Sequence, residues 1–468
     1  MAPVVARLVS ESKPYLVPGK LLVKELWFEV PLDHSDPKSK LIRLFARSAV
    51  RYEKPIVEPS PSQPVQRPLL LFLQGGPGGG TPAPQNSPLS THMLDRGYEL
   101  LFLDQRGTGF STTVSANTLE LIGGPTEQAE YLKFFRADVL VKDSEAVRLC
   151  LTKDYPPEKK KWSTFGQSFG GMMTLTYLSF APDGLRECFI TGGLAALDKG
   201  PAEVYEATYR RCIERNKAYY KKFPEDVETV KWIAEKIREL GGEKGVPLPA
   251  GGFLTVPRLM TVGLNFGAHG GIDRVHDYIT KMKGDLSQFG MFARYTLNEL
   301  EQDNLWDTAP IYTLLHEPCW CFGPGVAGKW AAERVGKSLD EYQWLRKDWA
   351  GPASLGEKPL FFSGEMIYPF HFETCSELIK LKETAQILAE FDGWAPLYDI
   401  EQLGKNEVPV YAASYNDMYV DPDLARVTAS RIKGIKVFET NVLYHNAFRA
   451  NPDDVIPQLL KLRDDTID

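Results

Sequence analysis

The sequence predicts an α/β protein whose mostly parallel sheet is interrupted by a large, mostly helical insertion. Three observations predict it. Short apolar runs ended by Gly or a polar turn recur through residues 1–194, with helical or loop segments between them. Helical and irregular sequence, rich in aromatics, fills 195–395. Strand character then returns in 396–468. At 468 residues the chain exceeds an ordinary single-core domain. A core in two parts, 1–194 and 396–468, with 195–395 packed over it as a cap, is the expected organisation.

Taken in order, "KELWFEVPL" (24–32) and "LIRLFARSAV" (41–50) read as the first two strands, joined by a turn at "DHSDPKSK". The proline-rich "EKPIVEPSPSQPVQRP" (53–68) reads as a surface loop, since proline cannot donate to a sheet ladder. "LLLFLQGGPGGG", "YELLFLDQRGTGFS", "KWSTFGQSFGG" and "ECFITGGL" read as buried parallel strands with the turns that end them. Beyond Leu197, "PAEVYEATYRRCIERNKAYYKKF" and "PEDVETVKWIAEKIRELGG" are helical. In the second, Val227, Val230, Ala234, Ile237 and Leu240 share a face, and Gly241 can cap the end. "EVPVYAASYNDMYVD" and "IKVFETNVLYHNAF" supply the last strands.

Composition narrows the function classes. A net charge of −7 argues against a nucleic-acid partner, which needs a concentrated basic face. The run Lys159–Lys161 reads as a solvated loop. Six cysteines in so long a chain do not make a disulfide framework, and Cys319-Trp-Cys321 lacks CxxC spacing, so free buried thiols are expected. The N-terminal stretch lacks the long apolar core of a signal peptide. No window reaches the roughly 18 apolar residues of a membrane span. A cytoplasmic protein without a membrane partner is the expectation.

The chemistry centres on Gly166-Gln167-Ser168-Phe169-Gly170, a Gly-x-Ser-x-Gly between a short strand and an apolar helix. On such a turn the serine is held in a strained conformation at the sheet's carboxyl edge, and a Cβ on either flanking residue would collide with neighbouring backbone. A serine hydroxyl needs a base and an orienting carboxylate, which in this architecture follow in the order Ser, acid, His. His445 is the one histidine beyond the final strand region. Asp417 ends the preceding strand, with Asp421 as its competitor. An oxyanion hole needs two backbone N–H donors: Phe169, after the nucleophile, and Gly76 in "QGGPGGG" (74–80).

Other readings of the glycines and histidines fail. No Lys follows the glycine loop as a P-loop requires, position 112 is Thr where a dinucleotide fingerprint needs Gly, and position 320 is Trp where HExxH needs His. No metal or cofactor is expected.

The motifs resemble the prolyl aminopeptidases (proline iminopeptidases) of the α/β-hydrolase fold. "QGGPGGG" is similar to that family's His-Gly-Gly-Pro-Gly-Gly-Gly loop, "DQRGTGFS" (104–111) to its Asp-Gln-Arg-Gly-x-Gly-x-Ser segment, and "GQSFGG" to its elbow. Gln74 departs from the family's His, and Phe169 stands where many members have Trp. The long insertion resembles the larger form of these enzymes. The resemblance implies Ser168 as nucleophile, Asp417 as acid and His445 as base, with Gly76 and Phe169 at the oxyanion positions. It implies that cap carboxylates, best matched by Glu317 and Glu365, hold the free amine of a short peptide beginning with proline. Tyr368 and Phe370 are then either walls for the pyrrolidine ring or plain core. Asp104 and Arg106 are read as holding the glycine loop. The alternatives are a broader aminopeptidase or esterase, or a binding protein without turnover.

Overall fold

The computed structural model describes residues 4–53, 66–303 and 306–465. Among these, ten strands form one sheet: β1 (Arg7–Glu11), β2 (Tyr15–Val17), β3 (Leu21–Pro31), β4 (Leu41–Arg51), β5 (Leu69–Leu73), β6 (Glu99–Asp104), β7 (Trp162–Gln167), β8 (Leu185–Thr191), then β11 (Val410–Ser414) and β12 (Ile435–Glu439). A small hairpin of β9 (Val246–Pro247) and β10 (Phe253–Leu254) stands apart.

The sheet order is β1-β3-β4-β6-β5-β7-β8-β11-β12, with β2 also on β3. From β6 to β12 the pairings are parallel; those of β1 to β4, and of β4 with β6, are antiparallel. Burial explains the difference. Every residue of β5, β7 and β11 is buried, as strands covered by helices on both faces must be. β3 alternates buried and half-buried positions instead.

β5 lies between β6 and β7, so the chain turns one way out of β5 and the other way into β7. The loops leaving β5 and β7 therefore diverge at the carboxyl edge, where open α/β sheets form their ligand crevice. The glycine loop follows β5 and Ser168 follows β7.

Several expectations need correction. The segments at 24–32 and 41–50 are β3 and β4, not the first two strands. β1 and β2 precede them and carry no burial pattern to betray them, since all five residues of β1 are exposed. They are held by backbone pairing to β3. The helix Asp226–Gly241 runs through Gly241 and ends at Gly242, whose φ of +56° suits glycine. Val230, Ala234 and Ile237 are buried on its inner face, but Leu240 is exposed. At about 100° per residue Leu240 falls roughly 80° from Val230. The loop at 53–68 lies mostly outside the described residues.

The segment between β8 and β11 is mostly helical, including Pro201–Lys222, Asp226–Gly241 and Gly271–Phe289. It reaches the carboxyl edge of the sheet at several points. Ile311 packs where a Cβ on Gly107 would lie 2.2 Å from its Cδ1, and the backbone N of Tyr312 would lie 2.9 Å from a Cβ on Gly78. All six cysteines are free; five are buried and Cys150 is half-buried.

Candidate active site

β7 ends in an abrupt turn into the helix Phe169–Phe180. Ser168 sits on that turn with φ +55° and ψ −121°, a conformation that L-residues rarely adopt. Its N–H is tied to Thr191 O at 2.9 Å. The flanking glycines are sterically required. A Cβ on Gly166 would lie 2.3 Å from Gly170 O, and one on Gly170 only 1.9 Å from Leu73 O. Phe169 opens the helix, so its N–H is among those without an intrahelical acceptor.

Three residues far apart in sequence converge here. His445 Nε2 lies 2.8 Å from Ser168 Oγ, and His445 Nδ1 lies 2.6 Å from Asp417 Oδ2. The carboxylate can only accept, so Nδ1 carries the proton and Nε2 is left to accept from the serine hydroxyl. The other oxygen of Asp417 accepts the backbone N–H of Tyr419 (2.7 Å) and Val420 (3.2 Å). Burial disfavours a charged His445, but the charge and hydrogen bond of Asp417 outweigh it and raise the imidazole above its ordinary pKa. All three side chains are buried.

Asp421, the competing acid, is committed elsewhere. It caps the helix Pro422–Ser430 through the N–H groups of Asp423 and Leu424, both at 3.0 Å, and pairs with Arg211 at 2.9 Å.

The glycine loop lies against the elbow: a Cβ on Gly75 would sit 3.0 Å from Ser168 Cβ. Gly76, with φ +135°, is the next residue. Asp104 accepts from Thr81 N and Oγ1, both at 2.7 Å, and from Phe110 N at 2.8 Å, joining the glycine loop to the segment after β6. Arg106 does not touch the glycine loop, contrary to expectation. Its guanidinium bonds Asp143 Oδ2 (2.7 Å) and the carbonyls of Leu32 (2.7 Å) and Phe134 (3.1 Å), fastening the end of β3 to the helix Ala137–Leu151. The loop is instead held by Gln105, whose amide donates to Gln74 O at 2.9 Å.

The two expected glutamates differ in environment. Glu365 keeps 14% of its side chain exposed. Its Oε1 accepts from the Tyr312 hydroxyl at 2.6 Å, and its Oε2 lies 3.6 Å from His316 Nε2. Burial pushes its carboxyl up, but His316, the charge of His445 and the Tyr312 hydroxyl together hold it below the ordinary carboxylate range. Glu317 is closed in. Its Oε1 accepts from Ala332 N at 3.0 Å, while its Oε2 has no partner among the described residues and faces Gly328. Burial pushes Glu317 up to about 7. Both carboxylates bear on Tyr205, whose hydroxyl lies 3.1 Å from His316 Nδ1. Tyr368 is fully buried and bonds Tyr209 at 2.9 Å, with Phe370 stacked on it at 5.0 Å, so Tyr368 is core.

Sequence reasoning missed the supports around these groups. Tyr312 and His316 stand four residues apart, the first donating its hydroxyl to Glu365 and the second placing Nε2 3.6 Å from it, with nothing in the sequence to single them out. The Tyr419 ring meets His445 edge-on at 4.6 Å, and Gly267 O accepts the His445 N–H at 3.1 Å. The latter contact reaches the base from the segment between β8 and β11.

A serine–histidine–aspartate chain at the carboxyl edge of this sheet defines a serine hydrolase of the α/β-hydrolase class. Residues 68–229 match the family described as the alpha/beta hydrolase fold. Among solved structures, a proline iminopeptidase from Mycobacterium smegmatis aligns over 93% of this chain and 97% of its own, at 11% identity and a TM-score of 0.40. In sequence, the chain is 39% identical over 454 residues to a proline iminopeptidase of Aspergillus aculeatus, covering 96% of each. It is 38% identical over 442 residues to a proline iminopeptidase of Aeromonas sobria, covering 94% of this chain and 96% of that one. On these identities the chain belongs to the proline iminopeptidase family.

Proposed function

We propose that this chain is a serine exopeptidase that releases proline from the N-terminus of short peptides through an acyl-enzyme. The observation that carries the reading is a partly open carboxylate, Glu365, held ionised in the neighbourhood of the Ser168–His445–Asp417 chain. The names of the two relatives support proline as the residue released.

Ser168 attacks the carbonyl of the first residue while His445 takes its proton, and Asp417 fixes the tautomer and steadies the imidazolium that forms. The N–H groups of Phe169 and Gly76 receive the developing oxyanion. His445 returns the proton to the leaving nitrogen, and water then releases proline from Ser168 by the same steps. The substrate's protonated amine cannot enter a partly dry site without a counter-charge, and Glu365 supplies it. Glu317 backs Glu365 from the enclosed side, adding charge as the pH rises through about 7. Residues 195–395 act as the cap that closes over the amine and limits cleavage to peptide ends. Six free cysteines suit the reducing cytoplasm.

Initial rates on the p-nitroanilides of Pro, Ala and Leu, with Ser168→Ala beside wild type, test this reading. A strong preference for Pro that disappears in the variant supports it. Equal rates on all three would make the enzyme a broader aminopeptidase.

A further inference from the structure

A cavity of about 400 Å³ lies beside the proposed site, lined by Pro82, Gln85, Asn86, Ser87, Phe448 and Arg449 among others. Its two walls continue the two loops that matter for catalysis. Pro82 follows the glycine loop within two residues of Gly80, and Arg449 comes four residues after His445, within the short helix Ala447–Ala450.

Arg449 is a cation without an anion. A guanidinium carries five donors, and the one contact made here is from Nη2 to Gln74 Oε1 at 3.2 Å. Among the described residues, no carboxylate lies within salt-bridge distance of it. Arg449 is exposed, opening to solvent across the cavity, and burial around its charged end lowers its pKa with no acidic neighbour to oppose the shift. Its charge is also felt at His445, where it opposes the effect of Asp417.

The reaction dictates what passes this way. When the peptide bond breaks, the acyl carbon stays on Ser168 oxygen and the leaving nitrogen takes its proton from His445. The leaving portion therefore departs from the His445 side of the scissile bond. In a dipeptide that portion is one amino acid, ending in a carboxylate.

We propose that Arg449 and this cavity form a subsite for the terminal carboxylate of the leaving amino acid, making dipeptides with a free C-terminus preferred substrates. The proposal rests on the function given above. Glu365 then pairs with the positive end of a zwitterionic substrate and Arg449 with the negative end, and both charges are met when the chain is two residues long. Gln74, which stands where the family has His, turns its amide oxygen to Arg449 and steadies it at the cavity wall.

The test compares kcat/KM for Pro-Ala and Pro-Ala-amide, substrates that differ only in the terminal charge, with Pro-p-nitroanilide as a common reference. Wild type is expected to favour the free acid by about tenfold, the scale of one charge-assisted contact. Arg449→Gln is expected to bring that ratio near one, and Arg449→Lys to retain part of it. Because the readout is a ratio within each variant, a general loss of folding or activity does not mimic it. Turnover of Pro-p-nitroanilide with no preference for the free acid in wild type would overturn the subsite and leave the proposed function standing. So would a preference that survives in Arg449→Gln, which would reduce Arg449 to a brace for Gln74. Absence of Pro-p-nitroanilide turnover would overturn both.

Discussion

Replacing Asp417 by Asn tests the hydrogen-bond chain at its buried end. Asp417 Oδ1 accepts two backbone N–H groups, from Tyr419 and Val420, while Oδ2 faces His445 Nδ1 at 2.6 Å. Asparagine has one acceptor oxygen and one NH₂. The two backbone donors claim the oxygen, because an amide nitrogen there would meet them donor to donor. The NH₂ then points at Nδ1, which must accept, and the ring proton moves to Nε2. Ser168 loses its base although no heavy atom has moved. A wrong tautomer in a serine hydrolase is worth about 10⁴ in kcat, or roughly 5.4 kcal/mol at 1.36 kcal/mol per tenfold. Stability should respond with a definite sign. The folded-state pKa of His445 is raised, so the stabilisation it brings is fully present below the ordinary value of about 6.5 and is lost as the pH climbs through the raised one. Asp417→Asn should therefore lose more stability relative to wild type at pH 6 than at pH 9. Steady-state kinetics on Pro-p-nitroanilide and urea unfolding at the two pH values measure both. Retention of more than about a tenth of wild-type kcat would refute the tautomer argument.

Three further predictions concern neighbouring groups. Glu365→Gln keeps an acceptor for the Tyr312 hydroxyl but removes the charge, so kcat/KM on Pro-p-nitroanilide should fall about 10- to 100-fold, mainly through KM; an unchanged KM would remove Glu365 from amine binding. Ser168→Gly relieves a strained φ worth about 1–3 kcal/mol, against about 0.4–1 kcal/mol of added freedom in the unfolded chain. It should be about 1 kcal/mol more stable than Ser168→Ala in urea unfolding, and a less stable glycine variant would argue against strain at the elbow. Because His445 must be neutral to accept a proton and its pKa is raised, the acid limb of kcat/KM against pH should lie above about 6.5. A limb well below that value would mean that Asp417 does not govern the imidazole.

Much of the site was legible because its chemistry demands particular residues at particular places. Gly166 and Gly170 are dictated by backbone within 2.3 Å, so the elbow is written into the sequence. Asp417 and His445 could be read from their places after the last two strands. Asp421 could have been dismissed on the same evidence, since Asp-Pro before a helical run is a capping signal, and the structure uses it as one. Three-dimensional contacts without sequence periodicity were not legible. Arg106 had the expected kinds of partner but the wrong location, because nothing local says that Asp143 will face it. Tyr312 and His316 are defined only by the approach of Glu365, 53 and 49 residues further along the chain. β1 and β2 escaped because strands that bury almost nothing leave no alternation to read.

The central claim is that the charged N-terminal amine of the substrate is recognised beside an active serine. It is tested most directly by kcat/KM for Pro-p-nitroanilide against N-acetyl-Pro-p-nitroanilide. Acetylation removes the positive charge and leaves the scissile bond intact. A loss of at least about a hundredfold is expected, the scale of a buried charge-assisted contact left unmade. Comparable rates on the two substrates would contradict it, leaving an esterase-like hydrolase in which Glu365 has no part in binding.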